Sequence, residues 1–272
     1  ISICLLTTSF KTFNNKLEIA EYLSKHNVSI GISIDGSREY NDMYRKDACG
    51  NGTYDRICNG INIIRKNMNV SKQFKKIWGL CAATNENCDF IAILNEMKRL
   101  EFQNVQIRLI RTKGKYDTPK IIAEYEKLAK ELLARFEKND MEYLRMILND
   151  NDQFGKVLRR IVLGHLLIRR CAAGINKITV CPDGSIYPCD SFVGISTFCM
   201  GNVRECDKVS TSILAKAYIS NISKCSTCTI KYICGGDCYY NSMIKTGDHN
   251  SPDNEMCKIF IGLCNIAIWL SF

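Results

Sequence analysis

The chain has 272 residues, 46% of them hydrophobic, and 37 lysines and arginines against 28 aspartates and glutamates give it a formal charge of +9. That composition can build a core unaided, so its 16 cysteines are not expected to form the disulfide framework of a small secreted domain. The basic excess is spread out and brings no aromatic platform or recognition helix, which argues against nucleic acid as a partner. With no signal peptide and no apolar run long enough for a bilayer, no membrane association is expected, and the setting is read as a reduced cytoplasm.

The sequence begins at Ile1 without a methionine and its first residues already read as the interior of a domain, so a longer parent protein is expected. Residues 17–25 have the pattern of a short amphipathic helix, with Ile19, Ala20, Tyr22 and Leu23 apolar. Over 28–34 the pattern alternates, with Val28, Ile30, Ile32 and Ile34 on one face and Ser29, Gly31, Ser33 and Asp35 on the other. This suits a parallel strand packing its branched face on helices and turning small polar groups toward a ligand, and an ordinary half-exposed strand gives the same pattern.

Tyr54, Ile57, Cys58, Ile61 and Ile64 recur at helical spacing, and a strand is predicted over 77–83. Residues 84–89 can cap a helix through Phe90, Ile93, Leu94, Met97 and Leu100, with another strand over 105–110. Alternating strands and helices predict an α/β fold with a parallel sheet or barrel. Cys58, Cys81 and Cys88 share no paired spacing and read as packing residues.

Thr118-Pro119 opens a long helix whose buried stripe is predicted to hold Tyr125, Leu128, Ala129, Leu132, Leu133 and Phe136. Helix is expected again over 142–167. The division that follows is a strand–helix domain over 1–115, a helical bridge over 116–170 and a cysteine-rich domain over 171–272.

Eleven of the 16 cysteines lie in that last domain, the densest run being Cys225-x2-Cys228-x5-Cys234-x3-Cys238. Upstream stand Cys171, Gly184 and Cys189 as Cys-x12-Gly-x4-Cys, and Cys257 follows downstream. In a reduced compartment, soft thiolates at such spacings select zinc or iron–sulfur clusters. A zinc ribbon would use Cys225, Cys228, Cys234 and Cys238 and leave Cys171, Cys189 and Cys257 without a role. Two [4Fe–4S] clusters use all seven. Cys181 could supply a further ligand and is read first as a packing residue. The apolar tail over 259–272 is too short for a membrane helix, and Cys257, Phe260, Ile261, Cys264 and Ile268 share one helical face that could cover a cluster.

This cysteine order resembles the SPASM domain, the two-cluster extension of radical S-adenosylmethionine enzymes that modify peptides. The wording agrees in Cys171-Ala-Ala-Gly174, in the run from Pro182 through Tyr187-Pro188-Cys189-Asp190 to Gly194, and in Met200-Gly-Asn-Val203. The resemblance implies a partial radical S-adenosylmethionine (β/α) barrel joined to a SPASM domain. It also implies that Cys225, Cys228, Cys234 and Cys257 hold an outer auxiliary [4Fe–4S] cluster, and Cys171, Cys189 and Cys238 an inner one. Three cysteines would leave one inner iron open, which suits thioether formation.

Ser33-Ile-Asp35-Gly36 with Arg45 is similar to the fourth strand and following loop of such barrels, which makes Ser33, Asp35 and Arg45 candidate S-adenosylmethionine residues. Serine and aspartate also cap the turn after any strand. The Cys-x3-Cys-x2-Cys triad that holds the third, radical-generating [4Fe–4S] cluster in these enzymes does not occur in the 272 residues. Activity is therefore assigned to the full-length parent, and this chain alone is expected to be inactive.

Within the family the chain most resembles maturases that build sulfur-to-carbon thioether crosslinks in cysteine-rich precursor peptides, using an electron donor such as ferredoxin or flavodoxin. Asp190, the candidate catalytic residue, creates an alternative. Anaerobic sulfatase maturases, similar to this chain in the Cys-Asp pair, place a proton-accepting aspartate there and form formylglycine. A zinc-binding interaction module is the reading outside the enzymes.

Overall fold

The computed structural model describes residues 4–7, 26, 29–67 and 77–271; the helix expected over 17–25 lies outside them. The chain divides into two compact units, one of Ile1–Ile110, Pro119–Arg159 and Ile266–Phe272, the other of Arg111–Thr118 and Arg160–Asn265.

The first unit is built on a four-stranded sheet in the order β1 (Cys4–Thr7), β2 (Ser29–Ser33), β3 (Ile77–Ala83), β4 (Asn104–Leu109). All three pairings are parallel, as strand–helix alternation requires. Ile30, Ile32 and Ile34 are fully buried beside Ile77, Cys81, Val105 and Ile107. Register aligns Ser33 with Leu80 and Leu80 with Gln106 on the opposite, less buried face.

Short helix α1 (Arg38–Tyr44) and α2 (Tyr54–Asn67) follow β2, and α3 (Phe90–Arg99) follows β3. The carboxylate of Asp89 accepts the Ala92 amide and caps α3, which buries Phe90, Ile93, Leu94 and Met97. Each such side chain contributes about 1.5–3 kcal/mol of burial. Helix α4 (Thr118–Glu137) buries Ile121, Tyr125, Leu128, Ala129 and Leu132, and the Tyr125 ring stacks on Phe90 at 3.9 Å. Phe136, predicted for that stripe, is instead 56% exposed. It sits in the last turn, just before the chain reverses through Asn139 at a φ of 59°.

The helix expected over 142–167 is broken into α5 (Glu142–Ile147) and α6 (Gly155–Leu163). The intervening loop is held by the outer edge of β4. Asn149 Nδ2 donates to the Val105 carbonyl at 2.8 Å, Asp152 Oδ2 accepts from Ile107 N at 2.8 Å, and Gln153 Oε1 accepts from Leu109 N at 3.1 Å. Unpaired strand groups are costly when buried, and these side chains satisfy them where a further strand would. The other oxygen of Asp152 accepts from Phe154 N and Gly155 N, so one buried carboxylate serves strand and helix. Burial pushes its pKa up to about 6. Asp152→Ala is expected to destabilise the chain by about 3 kcal/mol, because up to three buried amides lose their acceptor. The urea midpoint measures this, and a change under about 0.5 kcal/mol, the size of an ordinary surface substitution, would show that water replaces the carboxylate.

The second unit has little regular structure. It contains a small antiparallel ribbon of β5 (Thr179–Val180), β6 (Ser185–Tyr187) and β7 (Gly201–Asn202), then α7 (Ser223–Ser226), α8 (Lys231–Cys234), α9 (Tyr239–Thr246) and most of α10 (Asn254–Leu270). Its apolar cluster gathers Tyr187, Phe192, Phe198, Leu214 and Tyr239, with the Phe192 and Phe198 rings 4.0 Å apart. Among the described residues no helix is long and apolar enough to cross a membrane.

Candidate functional site

Four of the seven predicted cysteines converge. Cys225, Cys228, Cys234 and Cys257 line one cavity of about 110 Å³ in the second unit, together with Ile230, Met256, Phe260 and Ile261. Local turns bring them there. Cys225 lies in α7, and the amide of Cys228 bonds back to the Cys225 carbonyl at 3.1 Å. Cys234 ends α8, where Gly235 takes a φ of 73° and ends the helix. A Cβ at Gly235 would stand 2.8 Å from the Arg169 carbonyl oxygen, so glycine also lets segment 167–170 close over this loop. Cys257 enters from the first turn of α10, which the Asp253 carboxylate caps at Met256 N, 3.0 Å away.

The electrostatics are those of thiols awaiting a cation. Burial pushes Cys225 and Cys257 up to about 11 and raises Cys234. Such groups stay protonated near neutral pH until a metal displaces the proton. Lys224 lies by Cys257 and favours its thiolate, and Arg170 does the same for Cys234. The four thiols are shared out around the wall of the cavity. That arrangement fits a polynuclear cluster, which needs one thiolate at each of several irons, better than a lone zinc.

Asp237 ties this region together. Its buried carboxylate accepts from Cys238 N at 2.6 Å, Asn241 Nδ2 at 2.8 Å and Asp253 N at 3.4 Å, linking the loop after Cys234 to α9 and to the start of α10. Burial raises its pKa. Cys264 is fully buried and does not line the cavity.

The other three cysteines lie around the apolar cluster of the same unit. Cys238 caps α9 beside Tyr239, whose ionisation is disfavoured by burial and then by Cys171, and Cys189 packs on the cluster that holds Tyr239. Gly174, three residues after Cys171, donates to the carbonyls of Lys177 and Pro188, bringing the Cys171 loop to the residue before Cys189. Cys181 also packs on the cluster, but its amide bonds to Ser185 across the hairpin, four residues along the ribbon from Cys189. Gly184 makes the hairpin turn at a φ of 87°, which explains the glycine within the Cys-x12-Gly-x4-Cys spacing.

Asp190 is exposed, with Cys189 Sγ donating to its Oδ1 at 3.0 Å. That bond, then Lys177 and Arg111, hold its carboxyl below the usual range. Arg111 also donates to Ser191 Oγ, so the guanidinium is fixed beside the Cys-Asp pair. Sequence reasoning missed Arg111 because nearly 80 residues separate it from Asp190. Lys224, Lys231 and Asp237 had a weak signal in their places next to or between the cysteines.

In the first unit Ser33 and Asp35 alternate onto one side of the β2 end, and Arg45 joins them from the residue after α1. Arg45 binds the nearly buried Asp35 through Nε at 2.6 Å and Nη2 at 2.9 Å, and Asp35 Oδ1 also accepts Ala82 N at 2.9 Å. Asp35 therefore anchors Arg45 and β3, and Ser33, Asp35 and Arg45, the three residues singled out by the sequence, stand together at the end of β2.

No family model matches the sequence. Curated relatives do. Over 197 residues, 68% of this chain, it is 26% identical to the cysteine-type anaerobic sulfatase-maturating enzyme of Clostridium perfringens, and the match spans only half of that protein's length. Over 269 residues, 89% of the chain, it is 22% identical to the serine-type anaerobic sulfatase-maturating enzyme of Bacteroides thetaiotaomicron, spanning 62% of that protein. Among solved structures, native anSMEcpe with bound AdoMet superposes with a TM-score of 0.77 at 20% identity, covering 98% of this chain and 73% of that one. The same protein has been solved with AdoMet and Cp18Cys peptide, with a TM-score of 0.73 at 21% identity and cover of 98% and 74%.

The fold is thus the mixed α/β architecture of the AdoMet-bound anSMEcpe structures. In sequence the chain is similar to the anaerobic sulfatase-maturating enzymes, and it spans half to two thirds of their length.

Proposed function

We propose that the whole protein oxidises a cysteine of a peptide substrate, and that formylglycine formation is the reading this site supports best. The carrying observation is Asp190, an exposed carboxylate held low by the Cys189 thiol while that thiol keeps its proton and by Lys177 and Arg111 once it is ligated, and therefore able to accept a proton. The sulfatase-maturating relatives support the same reading. Cys225, Cys228, Cys234 and Cys257 would hold one [4Fe–4S] cluster, Cys171, Cys189 and Cys238 a second, and Ser33 and Arg45 the polar end of S-adenosylmethionine. When bound with its own reducing cluster, S-adenosylmethionine supplies a 5′-deoxyadenosyl radical that removes hydrogen from carbon. Beyond that, Asp190 would take the proton released by the substrate thiol, the electron left on the substrate would pass to the clusters held by the cysteines, and water would replace the sulfur, which leaves as sulfide; Arg111 keeps the Asp190 carboxylate ionised, and Asp35 holds Arg45 in place.

Thioether crosslinking, the first reading of the sequence, stands second. It is supported by reading Cys181, which packs on the apolar cluster, as a packing residue, so that the inner set has three cysteines. The two chemistries separate by product. Given a cysteine peptide from a neighbouring sulfatase, the full-length protein is expected to yield a product that has lost sulfur and reacts with hydrazine as an aldehyde. A product that keeps its sulfur, is lighter by two hydrogens and resists thiol alkylation would establish the crosslink instead.

A further inference from the structure

Arg169 and Arg170 are neighbours in the chain and diverge in space. Arg169 donates to the Ala215 carbonyl at 3.3 Å and lies over the Tyr218 ring at 4.1 Å. Arg170 turns instead toward the cysteine cavity: its Nη1 donates to the Cys234 carbonyl at 2.8 Å, and its guanidinium lies over the Phe260 ring at 4.3 Å. Cys234 and Phe260 both line that cavity. The backbone of Arg170 runs directly into Cys171, so this one arginine joins the two proposed ligand sets, the outer through its side chain and the inner through its peptide bond.

The guanidinium is held where it stands. Segment 167–170 is fastened by Leu167 N, which donates to the Tyr232 carbonyl at 2.7 Å, and by the close approach of Gly235 to the Arg169 carbonyl. Arg170 is half-buried, so its charge is screened less by water and salt than that of a cation in solvent. The other cations of the wall are placed differently, since Lys224 is exposed and Lys231 is drawn to the Ser226 carbonyl at 2.6 Å. Asp237 lines the same wall, with its carboxylate bound to Cys238 N, Asn241 Nδ2 and Asp253 N. Its influence opposes that of Arg170 and is present whichever residue stands at 170, so the sign of the arginine's effect does not depend on it.

We propose that Arg170 sets the reduction potential of the [4Fe–4S] cluster that Cys225, Cys228, Cys234 and Cys257 would hold, acting as a fixed positive charge at the cavity wall. The inference rests on the reading of those four thiols as cluster ligands. Reduction adds one electron to a centre that four thiolates already make anionic, so a neighbouring cation stabilises the reduced form more than the oxidised form and raises the potential. A capping role for the loop after α8 needs only a donor to the Cys234 carbonyl, and a neutral donor can supply that. The charge is what moves the potential.

The test is a redox titration of the anaerobically reconstituted chain, read by electron paramagnetic resonance in the signal that Cys225→Ala removes. Arg170→Gln keeps a donor for the Cys234 carbonyl and removes the charge. It is expected to shift the equilibrium at least about tenfold toward the oxidised form, a potential lower by about 59 mV for one electron, with iron content unchanged. Arg170→Lys keeps the charge and is expected to stay within about threefold of the parent, under half of that shift in potential. An unmoved potential in Arg170→Gln, an equal drop in Arg170→Lys, or loss of iron in Arg170→Gln would assign the residue to holding the Cys234 loop alone and overturn the proposal. A parent chain that loads no iron removes the cluster reading and this inference with it, whereas a loaded chain whose potential ignores Arg170 removes this inference only.

Discussion

Alanine at Cys225, Cys228, Cys234 or Cys257 is expected to halve the iron content of the chain, from about eight to about four atoms, because two [4Fe–4S] clusters account for the full set and these thiols serve one of them. The loss should extend to folding. One side of the cavity comes from α10, but the walls that carry Cys225, Cys228 and Cys234 come from two helices of four residues and their loops, which bury little on their own, so bound metal supplies much of the free energy that orders them. Each variant should therefore unfold at lower denaturant than the loaded parent chain.

Cys264→Ala is the matched control. That thiol is buried and near enough to Cys234 and Cys228 to feel their charge, yet it lies outside the cavity wall. It should cost about 1 kcal/mol of packing and no iron. Stoichiometric zinc with no iron absorbance, or a Cys225→Ala chain that retains all its iron, would defeat the assignment.

What could be read from the sequence divides along physical lines. Strand β3 and helix α3 were legible because each satisfies itself locally: alternation marks the buried face of Ile77, Gly79 and Cys81, and Asp89 caps its own helix. The break between α5 and α6 was not, because its cause is the distant edge of β4, where Asn149, Asp152 and Gln153 find their partners. The cysteines were legible as a set because metal chemistry constrains spacing. Their surroundings were not. Asp237 and Arg111 act through folding that brings far segments together, and the bonds that Asp35 makes to Arg45 and Ala82 N likewise depend on β3 and on the loop after α1.

Asp190→Asn in the full-length protein is expected to lower kcat by about 10²–10³-fold, the usual worth of a positioned base. Iron content and the KM for peptide should stay near their original values, since the amide keeps the shape of the carboxylate and its nitrogen can donate to a ligated Cys189 sulfur. Arg111→Met tests the same proton acceptor through its pKa. Three influences hold the Asp190 carboxyl low, the first being the Cys189 thiol. Ligation of a metal removes that proton, and the cations Lys177 and Arg111 then carry the effect. A base must be deprotonated to act, so losing Arg111 raises its pKa and moves the acidic limb of the kcat profile to higher pH. Turnover near pH 8 should change little. A purely structural Arg111, needed only to hold Ser191, would lower activity equally at every pH and leave the limb in place. If Asp190→Asn keeps activity within about twofold, well short of what a base contributes, then the proton acceptor is another group and the formylglycine reading loses its main support.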